Sequence, residues 1–379
     1  MKIALNPKML LSGELSFTSL RFILKQKAIS YNVLNINKLT RKSSFWSKDT
    51  GGDKKSSDKT YEIIDPLQLK CLEDQNLKIQ KIVQSVPGHI KLPEYALTAV
   101  PYQRPGDNQL NVWNEDEIIR IRKSCRIAKY IVRALGNTIS SFSSNKNNIQ
   151  YKSQPKYQDL SKIANLTTND LNKQAHEMIL SANSYPSTLN FNGFPKSIAT
   201  SVNNIVAHGI PDDRPLKDGD ILSVDVTVYH DGFHGDCAET FVVGGMCDLE
   251  GRHLVNSAKE CLFAGIAACA PGAPIRAIGS SISKFSKRRG VKAVPTLCGH
   301  GIGSHFHMGQ DIYHVPTHIL GVMIPGNIFT IEPHITEGYT GIEIKSEDGF
   351  NIATKDHSRA AYFEHTVLIT ERGVDVLTL

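Results

Sequence analysis

The order of elements in this chain predicts an α+β domain built from two similar halves. Three observations carry that expectation. Amphipathic helical segments come in two pairs, at about 114–138 with 168–182 and at 248–270 with 275–288. Each pair is followed by segments that read as antiparallel strands. The clearest strand pair, 221–229 with 233–243, turns at Asp231-Gly232, a strong two-residue hairpin signal. The duplication rests on element order, because no clear sequence repeat accompanies it.

The N-terminus stands apart from this domain. Of 43 Lys and Arg residues, 12 fall in residues 1–60, with only 4 of the 37 Asp and Glu. The formal net charge of +6 therefore belongs to the N-terminus, and the body is near neutral. Residues 1–48 carry a single acid, Glu14, among Lys, Arg, Ser and scattered Leu and Phe. That composition fits an organelle transit peptide, with a disordered basic tail as the alternative. A polar linker completes residues 1–60, and residues 61–113, rich in Pro, Gly and Asn after 86, read as an extended arm. Clustered basic residues are missing from the body, so direct nucleic-acid binding is not expected. No run of 18 apolar residues exists, so neither is a membrane span. Seven scattered Cys without a CxxC pair read as reduced thiols.

The main folded domain is expected over 114–379. Asn114 and Glu117 read as a capping box opening a helix, and Ile121, Cys125, Ala128, Val132 and Leu135 give its apolar stripe. The Ser/Asn/Lys/Gln-rich stretch 139–165 reads as a surface insert. Strands come next at 197–206, 221–229 and 233–243. Pro271-Gly272 and Gly290 stop the second helix pair, and 292–377 reads as strands broken by Gly and Pro.

The hairpin poses the chemical question. With Asp231-Gly232 as the turn, Thr227 faces Asp236, and Asp225 lies diagonally across on the same face. Val224, Val226 and Val228 take the opposite face. One buried Asp is ordinarily a hydrogen-bonded structural group. Two converging carboxylates are costly without a counter-ion, and a divalent cation removes the penalty. Further candidate ligands are His300 among glycines, Glu332 at a strand end before Pro333, and Glu364 within an apolar strand. Carboxylates with one imidazole suit hard-to-borderline divalents such as Mn, Fe, Co or Zn.

The segments "NEDEIIRIRKSCRIAKYIV", "GFPKSIATSVNNIVAHGIPDDRPLKDGDILSVDVTVYHDGFHGDCAETFVVG", "CGHGIGSHFH", "FTIEPHITEG" and "YFEHTVLIT" resemble type I methionine aminopeptidases, the mitochondrial members above all. The resemblance runs from about Pro93 to Leu379. It implies the duplicated pita-bread fold of creatinases and aminopeptidases, an antiparallel curved sheet covered by helix pairs. It implies two divalent metal ions, with Asp225 on one, His300 and Glu332 on the other, and Asp236 and Glu364 bridging. A water activated between them attacks the carbonyl after the N-terminal Met. His208 then contacts the substrate amide, His307 polarises the scissile carbonyl, and Glu332 also moves a proton to the leaving amine. Phe191, Phe194 and Phe306 line the Met slot. His305 matches no functional position of the family and reads as a surface residue.

The implied task is removal of the initiator methionine from nascent, deformylated proteins with a small second residue. The implied setting is the mitochondrial matrix, with another organelle or the cytoplasm as alternatives. The partners are nascent N-termini, ribosome association is a further expectation, and the chain is expected as a monomer. Departures from the family pattern are Ala199 and Ala207 in place of Cys, Cys237 in place of Thr, Met308-Gly309 after His307, and His334 after "IEP". They bear on specificity and rate. Another pita-bread peptidase of the X-Pro type, or a catalytically silent binding homologue, are the competing readings.

Overall fold

The computed structural model describes residues 31–32, 59–66, 72–102, 109–144, 165–345 and 349–379. The transit segment and linker expected over 1–60 fall outside these, apart from 31–32 and 59–60, as does 145–164 of the expected insert.

Two helix pairs each cover strands of their own half, and each half has its own core. In the first half, α2 (Glu115–Ser144) and α3 (Thr168–Ser181) pack on the hairpin of β3 (Ile221–His230) and β4 (Phe233–Val242). Ile131, Leu135, Leu171 and Ile179 meet Val224, Val226 and Val228 there. In the second half, α4 (Leu249–Ala267) and α5 (Ala277–Arg289) bury Leu254, Leu262, Ile278 and Ile282 against Phe329, Ile331, Val367 and Ile369. Antiparallel pairing dominates both halves, as the pita-bread fold requires.

Local sequence explains the helix starts. At α2, Asn114 Oδ1 accepts from the Glu117 N–H and Glu117 Oε2 accepts from the Asn114 N–H, both at 3.0 Å. Thr167 and Asp170 close the same capping box on α3. The expected end of α2 near 138 is corrected: the helix continues to Ser144. Ile139 and Phe142 extend the apolar stripe into the first half's core, which outweighs the Ser/Asn-rich composition.

The arm is corrected as well. Within the expected extended stretch 61–113, Leu72–Gln84 forms helix α1. Ile79, Val83 and Val86 repeat at helical spacing and pack with Ile90 and Tyr95 on Tyr185, Leu189, Tyr229 and Phe306.

Two features of the sheets position the acids. The β3·β4 register pairs His230 with Phe233, Thr227 with Asp236 and Asp225 with Ala238. Asp231 (φ 52°) and Gly232 (φ 89°) both adopt left-handed backbone, which a type I′ turn needs. The single strand expected at 197–206 is two, β1 (Ala199–Val202) and β2 (Ile205–Ala207). Asn203 (φ 51°) makes the corner between them, its amide donating to Asp220 and its carbonyl accepting from the Ile221 N–H.

In the second half, β5 (Cys298–Gly301) lies between β6 (Met308–Tyr313) and β7 (Ile328–Ile331). Next come β8 (His334–Thr336), β9 (Ile342–Ile344), β10 (Ile352–Thr354), β11 (Ala360–Tyr362) and β12 (His365–Thr370). The halves meet along β4. The Glu364 N–H donates to Ala238 O at 2.9 Å, and Thr366 Oγ1 donates to Asp236 O at 2.7 Å. Tyr362 and Thr240 exchange two further bonds. No helix among the described residues is long and apolar enough to cross a membrane.

Candidate metal centre and substrate pocket

The seam gathers the acids. Asp236 leaves β4 with Thr227 Oγ1 donating to its Oδ1 at 2.7 Å, as the hairpin register requires. His300 sits where the β5·β6 register shifts between Gly299 and Gly301, the extra residues lying on β6. Gly299 is needed there, since a Cβ would lie 2.4 Å from Thr330 O. Glu332, just past the end of β7, accepts from Thr330 Oγ1 at 2.8 Å. Glu364 lies two residues past the end of β11.

The five side chains converge. His300 Nε2 lies 3.3 Å from Asp236 Oδ2 and 3.7 Å from Glu332 Oε1. Asp236, His300 and Glu364 each offer a ligand atom within 4.8 Å of the others, and all three are buried. Asp225 and Asp236 lie close enough for each carboxylate to bear directly on the other. Tyr362 also donates to Asp225 Oδ2 at 3.0 Å.

The electrostatics come from crowding. Burial lifts Asp236 to about 7, against the opposing hydrogen bond from Thr227. Burial, then the Asp236 charge, raises Asp225, Glu332 and Glu364 well above the usual carboxylate range. Glu364 Oε1 is buried with no hydrogen-bond partner. Converging carboxylates with an orphaned buried oxygen and one imidazole are a donor set that fits divalent cations.

Beside the cluster lies an aromatic slot. The His307 ring is 4.3 Å from the His300 ring, 4.4 Å from Phe306 and 4.8 Å from Phe191. Phe191 is presented by a tight loop in which Asn190 (φ 60°) and Asn192 (φ 52°) flank it in left-handed backbone. Phe194 meets Phe350 edge-on at 5.1 Å, an aromatic that nothing in the sequence singled out. Beneath Phe306, His234 stacks at 5.4 Å and bonds Ser187 through Nδ1 at 2.9 Å. Tyr95, from the arm, packs edge-on to Phe191 at 5.0 Å. His305, expected at the surface and matching no functional position, is part-exposed and ties the arm down. Its Nδ1 meets Glu94 Oε1 at 3.1 Å, and Tyr102 stacks on its ring at 4.0 Å.

His208 lies just past β2, with a left-handed φ of 54°. Such backbone in a non-glycine residue is costly and clusters at functional sites. The Thr200 N–H to Gly209 O bond (2.8 Å) and the Ile210 N–H to Asn351 Oδ1 bond (3.0 Å) hold this turn. The residue is exposed, yet the protein atoms around it push its pKa down to about 4. A chain of neighbours connects it to the carboxylates. His334 lies within its electrostatic range, His334 stacks on Tyr362 at 4.1 Å, and Tyr362 bonds Asp225.

The sequence profile of metallopeptidase family M24 matches residues 119–371, which include all five converging side chains. The chain belongs to metallopeptidase family M24. Mitochondrial methionine aminopeptidase 1D of Homo sapiens is 41% identical over 293 residues, 77% of this M24 peptidase and 79% of its own length. Chloroplastic methionine aminopeptidase 1B of Arabidopsis thaliana is 38% identical over 299 residues, covering 77% of this chain and 72% of the relative. The crystal structure of methionine aminopeptidase from Rickettsia prowazekii superposes with a TM-score of 0.61 at 33% identity, over 71% of this peptidase and 100% of that chain. An X-Pro aminopeptidase from Thermotoga maritima, at 16% identity and a TM-score of 0.50, shares the fold alone.

Proposed function

We propose that this M24 peptidase removes the initiator methionine from nascent, deformylated proteins whose second residue is small. The convergence of Asp236, His300 and Glu364 beside the Phe191/Phe306/His307 slot carries the reading. Its methionine aminopeptidase relatives support it.

In this reading Asp225, Asp236, His300, Glu332 and Glu364 hold two divalent cations, of Co, Mn, Fe or Zn. When bound, the cations make water a nucleophile at neutral pH and supply Lewis acidity at the carbonyl. The chain's own residues do the rest. Phe191, Phe194 and Phe306 take the Met side chain, and the half-exposed rim lets the peptide continue into solvent. His307, against the His300 ring, faces the scissile carbonyl and stabilises charge developing on its oxygen. His208, neutral at physiological pH, contacts the substrate amide. Glu332 accepts a proton and returns it to the leaving amine. An acid-rich centre favours a free N-terminal amine, so a formyl group must leave first.

The basic segment 1–48 and the printed names of the Homo sapiens, Mus musculus and Danio rerio relatives favour the mitochondrial matrix. A diffuse cytosolic signal from a reporter carrying residues 1–48 contradicts that address. Turnover as a monomer and transient ribosome contact complete the proposal. The activity test is release of free Met from a Met-Ala-Ser peptide by the metal-supplied enzyme, set against an X-Pro peptide. Met release alone supports this reading. Cleavage of the X-Pro peptide alone favours the competing peptidase reading, and silence on both favours a binding homologue.

A further inference from the structure

Three of the clustered carboxylates each receive a hydroxyl, and one of the three hydroxyls comes from an unexpected place. Asp236 takes Thr227 Oγ1 from the neighbouring strand of its own hairpin, at 2.7 Å. Glu332 takes Thr330 Oγ1 from its own strand, at 2.8 Å. Asp225 has no such neighbour, because its cross-strand partners are Ala199 on β1 and Ala238 on β4. Its hydroxyl arrives across the seam, from Tyr362 on β11, at 3.0 Å.

Tyr362 is built to deliver that bond. It is 1% exposed. Its backbone is fixed by Thr240, which donates to Tyr362 O at 2.7 Å and accepts from the Tyr362 N–H at 3.1 Å. Its ring is braced by His334, its register partner on β8, stacked at 4.1 Å and 26°. A phenol held on both sides has one direction to point.

We propose that Tyr362 is a positioning residue for Asp225, fixing the carboxylate so that its remaining lone pairs face the cation bound on that side of the cluster. Without the phenol, the cross-strand neighbours of Asp225 offer only methyl groups, and its remaining side-chain contact is with Asp236, itself a ligand of the proposed centre. Partners behind a ligand commonly set metal affinity in this way. The inference rests on the metal centre proposed above and deepens it. His334, a departure from the family pattern, thereby gains a purpose as the brace of the phenol.

The test is calorimetric titration of the metal-free full chain with Mn²⁺, comparing wild type, Tyr362→Phe, Asp225→Asn and the double variant. Phe keeps the ring and its stacking on His334, so the metal-free melting temperature should hold. Tyr362→Phe should weaken one Mn²⁺ site by roughly 10–100-fold and leave the other unchanged. In the Asp225→Asn background the same change should cost nothing further, because the phenol has lost the group it positions. Wild-type affinities at both sites in Tyr362→Phe overturn the proposal. So does a loss that persists undiminished in the Asp225→Asn background. A lowered melting temperature with both affinities intact assigns Tyr362 to packing and overturns it too. Failure of the wild type itself to bind Mn²⁺ overturns the metal centre as well, which keeps the two failures apart.

Discussion

The two halves of the domain supply their acids in different ways. In the first, Asp225 and Asp236 come from one hairpin, and a two-residue turn sets their relation. In the second, His300, Glu332 and Glu364 come from three separate strand ends, brought together by sheet packing and by the bonds of Thr366, Thr330 and the Glu364 N–H. Local turn chemistry fixes the first arrangement. The second depends on long-range register, a register shift opposite His300 and a glycine where no Cβ fits. One half is a preformed claw, and the other is an assembled wall that closes on it along β4.

That contrast can be broken at its centre or at its edge. The largest effect is expected from Asp236→Asn, which removes the charge that touches both halves. Met release from Met-Ala-Ser should fall to the rate without enzyme, and near-wild-type turnover would rule out this arrangement of ligands. A smaller effect is expected in the metal-free protein. Burial holds Asp236 at about 7, far above the usual value near 3.8. Between those pH values the folded chain keeps a proton that the unfolded chain has released. Stability from this group is therefore present at low pH and is lost as pH rises through about 7. Buried imidazoles such as His234 and His314, each pushed down to about 3, act in the opposite sense. The informative quantity is thus the melting temperature of wild type minus that of Asp236→Asn. It should fall from pH 4 to 7 without metal and recover with Mn²⁺; a flat difference contradicts the crowding account.

The smallest effect is expected at the turn. Gly232→Ala places a Cβ on a residue at φ 89°, and should cost about 1–2 kcal/mol in denaturant unfolding while sparing the second half's packing. The nearest atom to that Cβ is the flexible Lys91 Nζ, so backbone strain rather than a clash sets the cost. Unchanged stability would mean that the turn does not set the register.

The same contrast explains what was legible in the sequence. Asp-Gly between alternating strands specified the hairpin register, and with it the face shared by Asp225, Thr227 and Asp236. Capping residues at 114–117 located the start of α2. The stripe through Ile139 and Phe142 was equally present, but a polar composition masked it. Contacts across the seam have no periodic signature. Tyr362 reads as one more apolar strand residue until Asp225 is placed opposite its hydroxyl, and Phe350 reads as a loop residue until Phe194 meets it. The arm's return to the site through Glu94, Tyr95 and Tyr102 was invisible for the same reason. His300, Glu332 and Glu364 stood out singly as polar residues in apolar or glycine-rich settings. Their joint role came from family resemblance, since spacing alone does not tell which strands will be neighbours.

The central claim is that five side chains from both halves surround a shared pair of cations. Anomalous scattering from crystals soaked in Mn²⁺ tests it most directly. Two peaks roughly 3.5–4 Å apart among Asp225, Asp236, His300, Glu332 and Glu364 are the expected result. An empty map at that cluster, or manganese seated on other residues, contradicts it.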